Sequence, residues 1–411
     1  MELELPSPPS QPISALAFST DPPGSEGSER LLVASWDKSV TLYDLAHAKT
    51  GEDVKLLQSW AHEAPVLDVC WVGRDVAASG GVDRRVRLLD TKTGTSEIIG
   101  KHDMPVSRIR YSAETKLLIT GSWDRTLKVW DPASRKLLRT ISLGEKVLAM
   151  DITRPSVPTT LPQVDSTPRL VVGLTSRKVN IYNLNRWAEA ADRELAGIST
   201  TEEDWVSEES RESSLKFMFK DARCMPDGSG FAMSSVEGRV SVDFFNPSDE
   251  VQAKKYAFKC HRQPGEDGID TVFPINALAF HPRHGSFATL GGDAIVLVWD
   301  PFGKRRIRVY PKYPAALSAG DFSADGKWLA MATGAEGVSD DGDGDVMSAS
   351  VVKGPVTIVV RRVGDETKVS IARVSPFNNL RLRSQGSFLD FHTAEDEQVS
   401  QGLTCSGTAL A

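Results

Sequence analysis

One unit recurs along this chain, and that recurrence limits what it can fold into. Asp37, Asp83, Asp124 and Asp293 each sit in a short polar turn with the same surroundings. Upstream lies a run of small and β-branched residues: LLVAS, VAASGG, LLITGS and SFATLGG. Downstream, the third and fifth residues are apolar and the sixth is large, as in Val40, Leu42 and Tyr43 or in Leu127, Val129 and Trp130. An aspartate then follows, at Asp44, Asp90, Asp131 and Asp300. Alternation with a period of two marks a half-buried strand, and a turn between two such runs makes a hairpin. The first three turn aspartates are spaced 46 and then 41 residues apart. A further strand-like run precedes each hairpin, and the chain holds seven: ISALAF (13–18), VLDVCW (66–71), VSRIRY (106–111), VLAMDI (147–152), DARCM (221–225), INALAF (275–280) and LSAGDF (317–322). A unit this small cannot bury its faces alone, so the copies must stack on one another.

A period of about 40–45 residues with a Trp-Asp signature is that of a WD-repeat blade. The expected fold is therefore all-β, a seven-bladed WD-repeat β-propeller. Glu2, Leu3, Glu4 and Leu5 alternate at the N-terminus, which predicts an outermost strand that closes the ring and covers an open edge. The propeller is expected over 1–365. A proline-rich insertion lies near 154–168, an acidic, poorly periodic one near 199–210 before blade five, and a Gly/Asp-rich one near 334–350. Residues 366–411 read as a disordered tail, in which Ser375 precedes Pro376 as a weak phosphorylation signal.

In such blades the turn Asp accepts a hydrogen bond from a His in the preceding loop, and a Ser or Thr links that His to the strand Trp. His102, Thr120, Asp124 and Trp130 have the full spacing. His62, Ser79 and Asp83 form a partial set without the Trp. Thr289, Asp293 and Trp299 form another, with His261 too far upstream in sequence to be assigned to it. These histidines are read as blade staples rather than ligands or bases, because a partnered buried polar network is the commoner arrangement.

No other motif points to chemistry. The chain lacks a P-loop, a GxSxG elbow, HExxH and paired CxxC, so catalytic residues, cofactor and metal are not expected. DDGDGD (340–345) begins like a calcium loop, but Val346 replaces the turn glycine and Val352 the bidentate acid. Cys70, Cys224, Cys260 and Cys405 are widely separated and read as reduced thiols of a cytosolic or nuclear protein. The start is acidic rather than signal-like, and no apolar run is long enough for a membrane helix. A net charge of −7 argues against nucleic acid as the general partner. The basic stretches KKYAFKCHR (254–262) and KRRIRVY (304–310) read as strand edges. Trp36 and Trp123, each directly before a turn Asp, are the unusual residues. A bulky aromatic at a turn tip is either packed across neighbouring blades or waiting for a partner, and the residues alone leave both open.

SWDKSV, GSWDRTLKVWD, ESSLK (212–216), EGRV (237–240), AFKCHR (257–262) and AFHPRHGSFAT (279–289) together resemble two sister families of WD-repeat proteins. One is the mitotic spindle-checkpoint family (budding uninhibited by benzimidazole, third member). The other is the messenger-RNA export factor that docks on a nuclear pore protein. NPSDEVQAKKYAFKCHR (246–262), VWDPFGKRR (298–306) and YPKYP (310–314) look like the checkpoint branch, and the likeness spans about residues 10–333. The resemblance implies a non-catalytic, monomeric propeller in the nucleus and cytoplasm that gathers at kinetochores in mitosis. It implies a checkpoint kinase and its kinase-like partner, bound through an acidic motif, and a kinetochore scaffold read at phosphorylated Met-Glu-Leu-Thr repeats. Trp36 and Trp123 match the family tryptophans that pack on the acidic motif. Lys220 and Arg239 match its basic pair for phosphothreonine, with Lys at 220 where many members carry Arg. The Gly/Asp-rich continuation of blade seven departs from the family pattern.

Overall fold

The computed structural model describes residues 1–369 apart from positions 23, 26, 28, 47, 49–52, 155–161, 266, 267 and 335–352. Within them the chain forms seven four-stranded antiparallel sheets, arranged as the blades of one propeller. The inner strands are Ile13–Phe18, Val66–Trp71, Val106–Ser112, Val147–Ile152, Phe219–Cys224, Ile275–Phe280 and Leu317–Phe322, and each packs beside the next around a closed ring. These are the seven runs that precede the hairpins in the sequence. Glu2–Glu4 is the outer strand of blade seven, pairing Leu3 with Val360 of the strand Ile358–Arg362. Leu3 and Leu5 are buried there, and Glu2 accepts from Tyr313 at 2.9 Å and from Arg361 at 2.5 Å. The acidic run 340–345, most of the insertion near 334–350 and the tail beyond 369 lie outside the described residues.

The propeller has no central core. Its buried apolar residues form seven clusters, each filling the gap between two neighbouring blades. Strand alternation produces this. Leu31 and Val33 face blade seven, whereas Leu32 and Ala34, one residue along, face blade two. Close approach constrains the small residues as well: a Cβ at Gly121 would sit 2.7 Å from Val147 of the next blade.

Each gap is also crossed by at least one side-chain hydrogen bond from an inner strand to the neighbouring inner strand's backbone. Ser14 donates to the Val66 carbonyl, Ser107 to Val147 and Asn276 to Leu317. Asp68, Asp151, Asp221 and Asp321 accept from the amides of Ile109, Cys224, Leu278 and Phe18, at 2.8 to 3.0 Å. These carboxylates face the central channel. Arg110 answers two of them, at 2.6 Å from Asp68 and 3.1 Å from Asp151, and Arg223 answers Asp221 at 3.2 Å.

The turn networks differ from blade to blade. In blade three, Trp130 Nε1 donates to Thr120 Oγ1, which lies 2.8 Å from His102 Nε2, and His102 Nδ1 is 2.8 Å from Asp124 Oδ2. Every donor in that chain meets an acceptor. Burial pushes the Asp124 carboxyl up, but hydrogen bonds from His102 and Thr126 outweigh it and hold it well below the usual range. Blade six has the same relay through Trp299, Thr289, His261 and Asp293, with His261 2.8 Å from Asp293. A short hairpin, Arg262–Pro264 with Asp270–Val272, separates His261 from its blade in sequence but not in space. Blade two departs from the expected set. Arg87 takes the Asp83 carboxylate, and His62 bonds the Trp60 carbonyl and Ser79 instead. A neutral ring, donating from Nδ1 and accepting at Nε2, satisfies both partners. Burial and then Arg87 lower its pKa to about 4.

Residues 199–210 also differ from the expectation of an aperiodic insertion ahead of blade five. Glu202–Trp205 is a 3-10 helix whose Trp205 is buried against Trp187 of the helix Leu184–Leu195, with ring centroids 5.8 Å apart. The segment then runs into Glu209–Glu212, the outer strand of blade four.

Three outcomes test this architecture. Leu3→Asp places a charge in a closed seam where Leu3 is 4% exposed, and should cost at least about 3 kcal/mol. Leu57→Asp, on the exposed outer edge of blade one, should change stability little; denaturant melts of both variants report this. Asp124→Ala strands His102 and should cost about 2 kcal/mol or more, against about 1 for Asp37→Ala, whose carboxylate among the described residues bonds Ser10 and Ser39 but no histidine. Finally, the folded protein keeps His62 neutral below its unfolded pKa. Its contribution is full above pH 6.5 and is lost as pH falls toward 4, so His62→Asn should flatten the stability–pH curve in that window.

Candidate functional site

The turns joining second and third strands, and the loops entering the inner strands, share one face of the ring because each sheet is antiparallel and consecutive. On that face the blade-one and blade-three turns share one set of hydrogen bonds, to which blade three adds that of His102. Ser35 Oγ bonds the Pro12 carbonyl and accepts from the Asp37 amide; Ser122 Oγ does the same with Pro105 and Asp124. Asp37 and Asp124 then accept from the amide and hydroxyl of Ser39 and of Thr126. The amides of Trp36 and Trp123 donate to Pro12 and Pro105 at 3.0 and 3.1 Å. Both tryptophans therefore stand on pinned backbone. Trp36 is 39% exposed, and Trp123 is half-buried.

The residue after each turn Asp adopts a left-handed backbone: φ is 74° at Lys38, 68° at Arg84, 68° at Arg125 and 67° at Ala294. At the equivalent place in blade five Gly238 supplies the conformation at no steric cost, with φ 64°. In blades one to three this position is a cation, and Lys38, Arg84 and Arg125 are all exposed. Together they make a basic arc that runs past the two tryptophans. Three Asp-Lys or Asp-Arg dipeptides at one place in the repeat are the sequence signal for it.

Lys220 and Arg239 both belong to blade five, but in different strands. Lys220 is the second residue of the inner strand Phe219–Cys224, and Arg239 opens the third strand, Arg239–Phe244. Gly230–Ser235 separates them, so their backbones lie about 10 Å apart by ordinary strand spacing. Both side chains are half-buried. Arg239 Nε lies 3.3 Å from Glu237 Oε1. Burial, and then the charge of Arg108, push the Lys220 ammonium below its usual range. Among the described residues, no hydrogen bond or ion pair joins Lys220 to Arg239.

A cavity of about 190 Å³ lies at the opposite mouth of the channel, lined by Asp68, Arg110, Arg154, Arg223 and Asp321. Arg110 and Arg223 are already committed to the ring of carboxylates.

Comparison with known proteins agrees with this architecture. Residues 95–131 match the WD domain, G-beta repeat family. The chain is 41% identical to the mitotic checkpoint protein BUB3.1 of Arabidopsis thaliana over 80% of its own length and 86% of the relative's. It is 36% identical to the mitotic checkpoint protein bub3 of Dictyostelium discoideum, covering 80% and 88%. The mRNA export factor GLE2 of Chaetomium thermophilum is 31% identical over 80% and 83%. With seven WD blades and this likeness along four fifths of its length, the chain belongs to the BUB3 family of mitotic checkpoint WD-repeat proteins.

Proposed function

We propose that the protein is a non-catalytic adaptor of the spindle assembly checkpoint. Its turn face holds the acidic motif of a checkpoint kinase and of the kinase-like partner, and reads phosphorylated Met-Glu-Leu-Thr repeats on the kinetochore scaffold. The observation that carries this reading is the pairing of Trp36 and Trp123 on pinned turns with the exposed cations Lys38, Arg84 and Arg125. A rigid aromatic loses little entropy on binding and buries a large area, which is the character of an interface anchor. The basic arc complements an acidic segment and would speed its encounter. Lys220 and Arg239 supply positive charge for the phosphate, a dianion best held by more than one cation. Lys at 220 offers a point charge without the bidentate fork of arginine. The checkpoint proteins among the relatives support the cellular role, and a location in the nucleus, and at kinetochores in mitosis, fits this role.

The export reading rests on the 31% identity to GLE2. It requires salt-sensitive binding of RNA to the isolated protein, against an overall charge of −7.

Titration with an acidic kinase-motif peptide tests the docking face. Trp36→Ala with Trp123→Ala should weaken binding by at least about thirtyfold while leaving the melting curve unchanged. Lys38→Glu should slow association and reduce its salt dependence. Arg239→Ala should weaken a phosphorylated Met-Glu-Leu-Thr peptide but not its unphosphorylated twin. Equal losses for the two peptides would remove Arg239 from phosphate reading.

A further inference from the structure

Arg108 stands out among the channel charges. It belongs to the inner strand of blade three, yet its guanidinium crosses toward blade five, where Nη2 donates to the Lys220 carbonyl at 2.8 Å. Nη1 donates to the Ser107 carbonyl, also at 2.8 Å. The nearest carboxylates are occupied. Asp68 holds the Ile109 amide and Arg110, and Asp221 holds the Leu278 amide and Arg223. Among the described residues Arg108 forms no ion pair, although it is half-buried. Arg108, held by two backbone carbonyls, thus reaches across the channel mouth to the Lys220 backbone, and among the described residues neither cation has an ion-pair partner. Burial disfavours both charges, and the charge of Arg108 adds to it at Lys220.

The rim beside this pair is apolar. Phe217 and Met218, just ahead of Lys220, are 42% and 52% exposed. A site with two cations next to exposed apolar side chains fits a phosphorylated peptide with apolar neighbours better than a free inorganic anion.

We propose that Arg108 is a phosphate-binding residue of the turn face, acting with Lys220 across the channel mouth while Phe217 and Met218 take the apolar residues that precede the phosphothreonine. The proposal rests on the phosphopeptide reading above and deepens it. Arg108 supplies the fork of donors that Lys220 lacks, whereas the Arg239 guanidinium is already turned toward Glu237.

The test is a titration of the full chain with phosphorylated and unphosphorylated Met-Glu-Leu-Thr peptides, for wild type, Arg108→Gln and Arg108→Lys. In Arg108→Gln the preference for the phosphorylated peptide should fall by about tenfold or more, with affinity for the acidic kinase motif unchanged. Arg108→Lys keeps the charge without the fork and should retain part of the preference. Should the Gln variant fail to fold, the Lys variant decides: discrimination equal to wild type would overturn the proposal. So would an Arg108→Gln protein that folds and discriminates fully, or one that loses affinity equally for all three peptides, as a purely structural role requires. A wild-type protein without any phosphate preference would instead defeat the phosphopeptide reading itself, while leaving acidic-motif docking in place.

Discussion

Everything in this molecule depends on the packing between blades. A four-stranded sheet has two apolar faces and no way to cover either alone, so each blade is stable only between two others. The alternation of Leu31, Leu32, Val33 and Ala34 divides one strand between two interfaces. The inner-strand hydrogen bonds repeat that dependence in polar form, with a serine, asparagine or aspartate bonding across each gap. Three use hydroxyl or amide donors, and four use aspartates that would be costly to bury unpaired. Closure then falls to the first residues of the chain, which complete blade seven and remove its open edge.

The recognition face follows from that rigidity. Because the strands are held on both sides, the turns that join them have little freedom, and the Ser-Asp-Ser/Thr hydrogen bonds remove most of what remains. The left-handed residue after each Asp costs about 1 kcal/mol when it is not glycine. Blades one to three nevertheless use Lys38, Arg84 and Arg125 there. The ring therefore presents aromatic anchors and cations at fixed positions, while its channel charges largely serve the fold. The contrast between Arg110, answered by two aspartates, and Arg108, answered by two carbonyls, separates a structural cation from one open to a ligand.

Much of this was legible in the residues. Strand alternation located all seven inner strands, and Glu2 to Leu5 showed the closing strand. The His102–Thr120–Asp124–Trp130 spacing matched the relay in blade three. Other features depended on competition that spacing does not express. Arg87, four residues after Asp83, takes the carboxylate that the repeat would give to His62. His261 looked remote because a hairpin lies between it and its blade. Residues 199–210 looked aperiodic because Trp205 packs on a helix rather than within a sheet. Leu184, Trp187, Ala190 and Ala191, at helical spacing, carry the signal for that helix. The approach of Arg108 to Lys220 joins residues 112 positions apart and has no local signature.

Docking of partners on the turn face of blades one to three is the proposal on which the function rests. Hydrogen–deuterium exchange of the full chain, with and without an acidic kinase-motif peptide, tests it most directly. New protection should be confined to the turns at 36–39, 82–85 and 123–126 and the loops beside them. Protection at the opposite channel mouth or along the outer strands, with those turns unchanged, would contradict it.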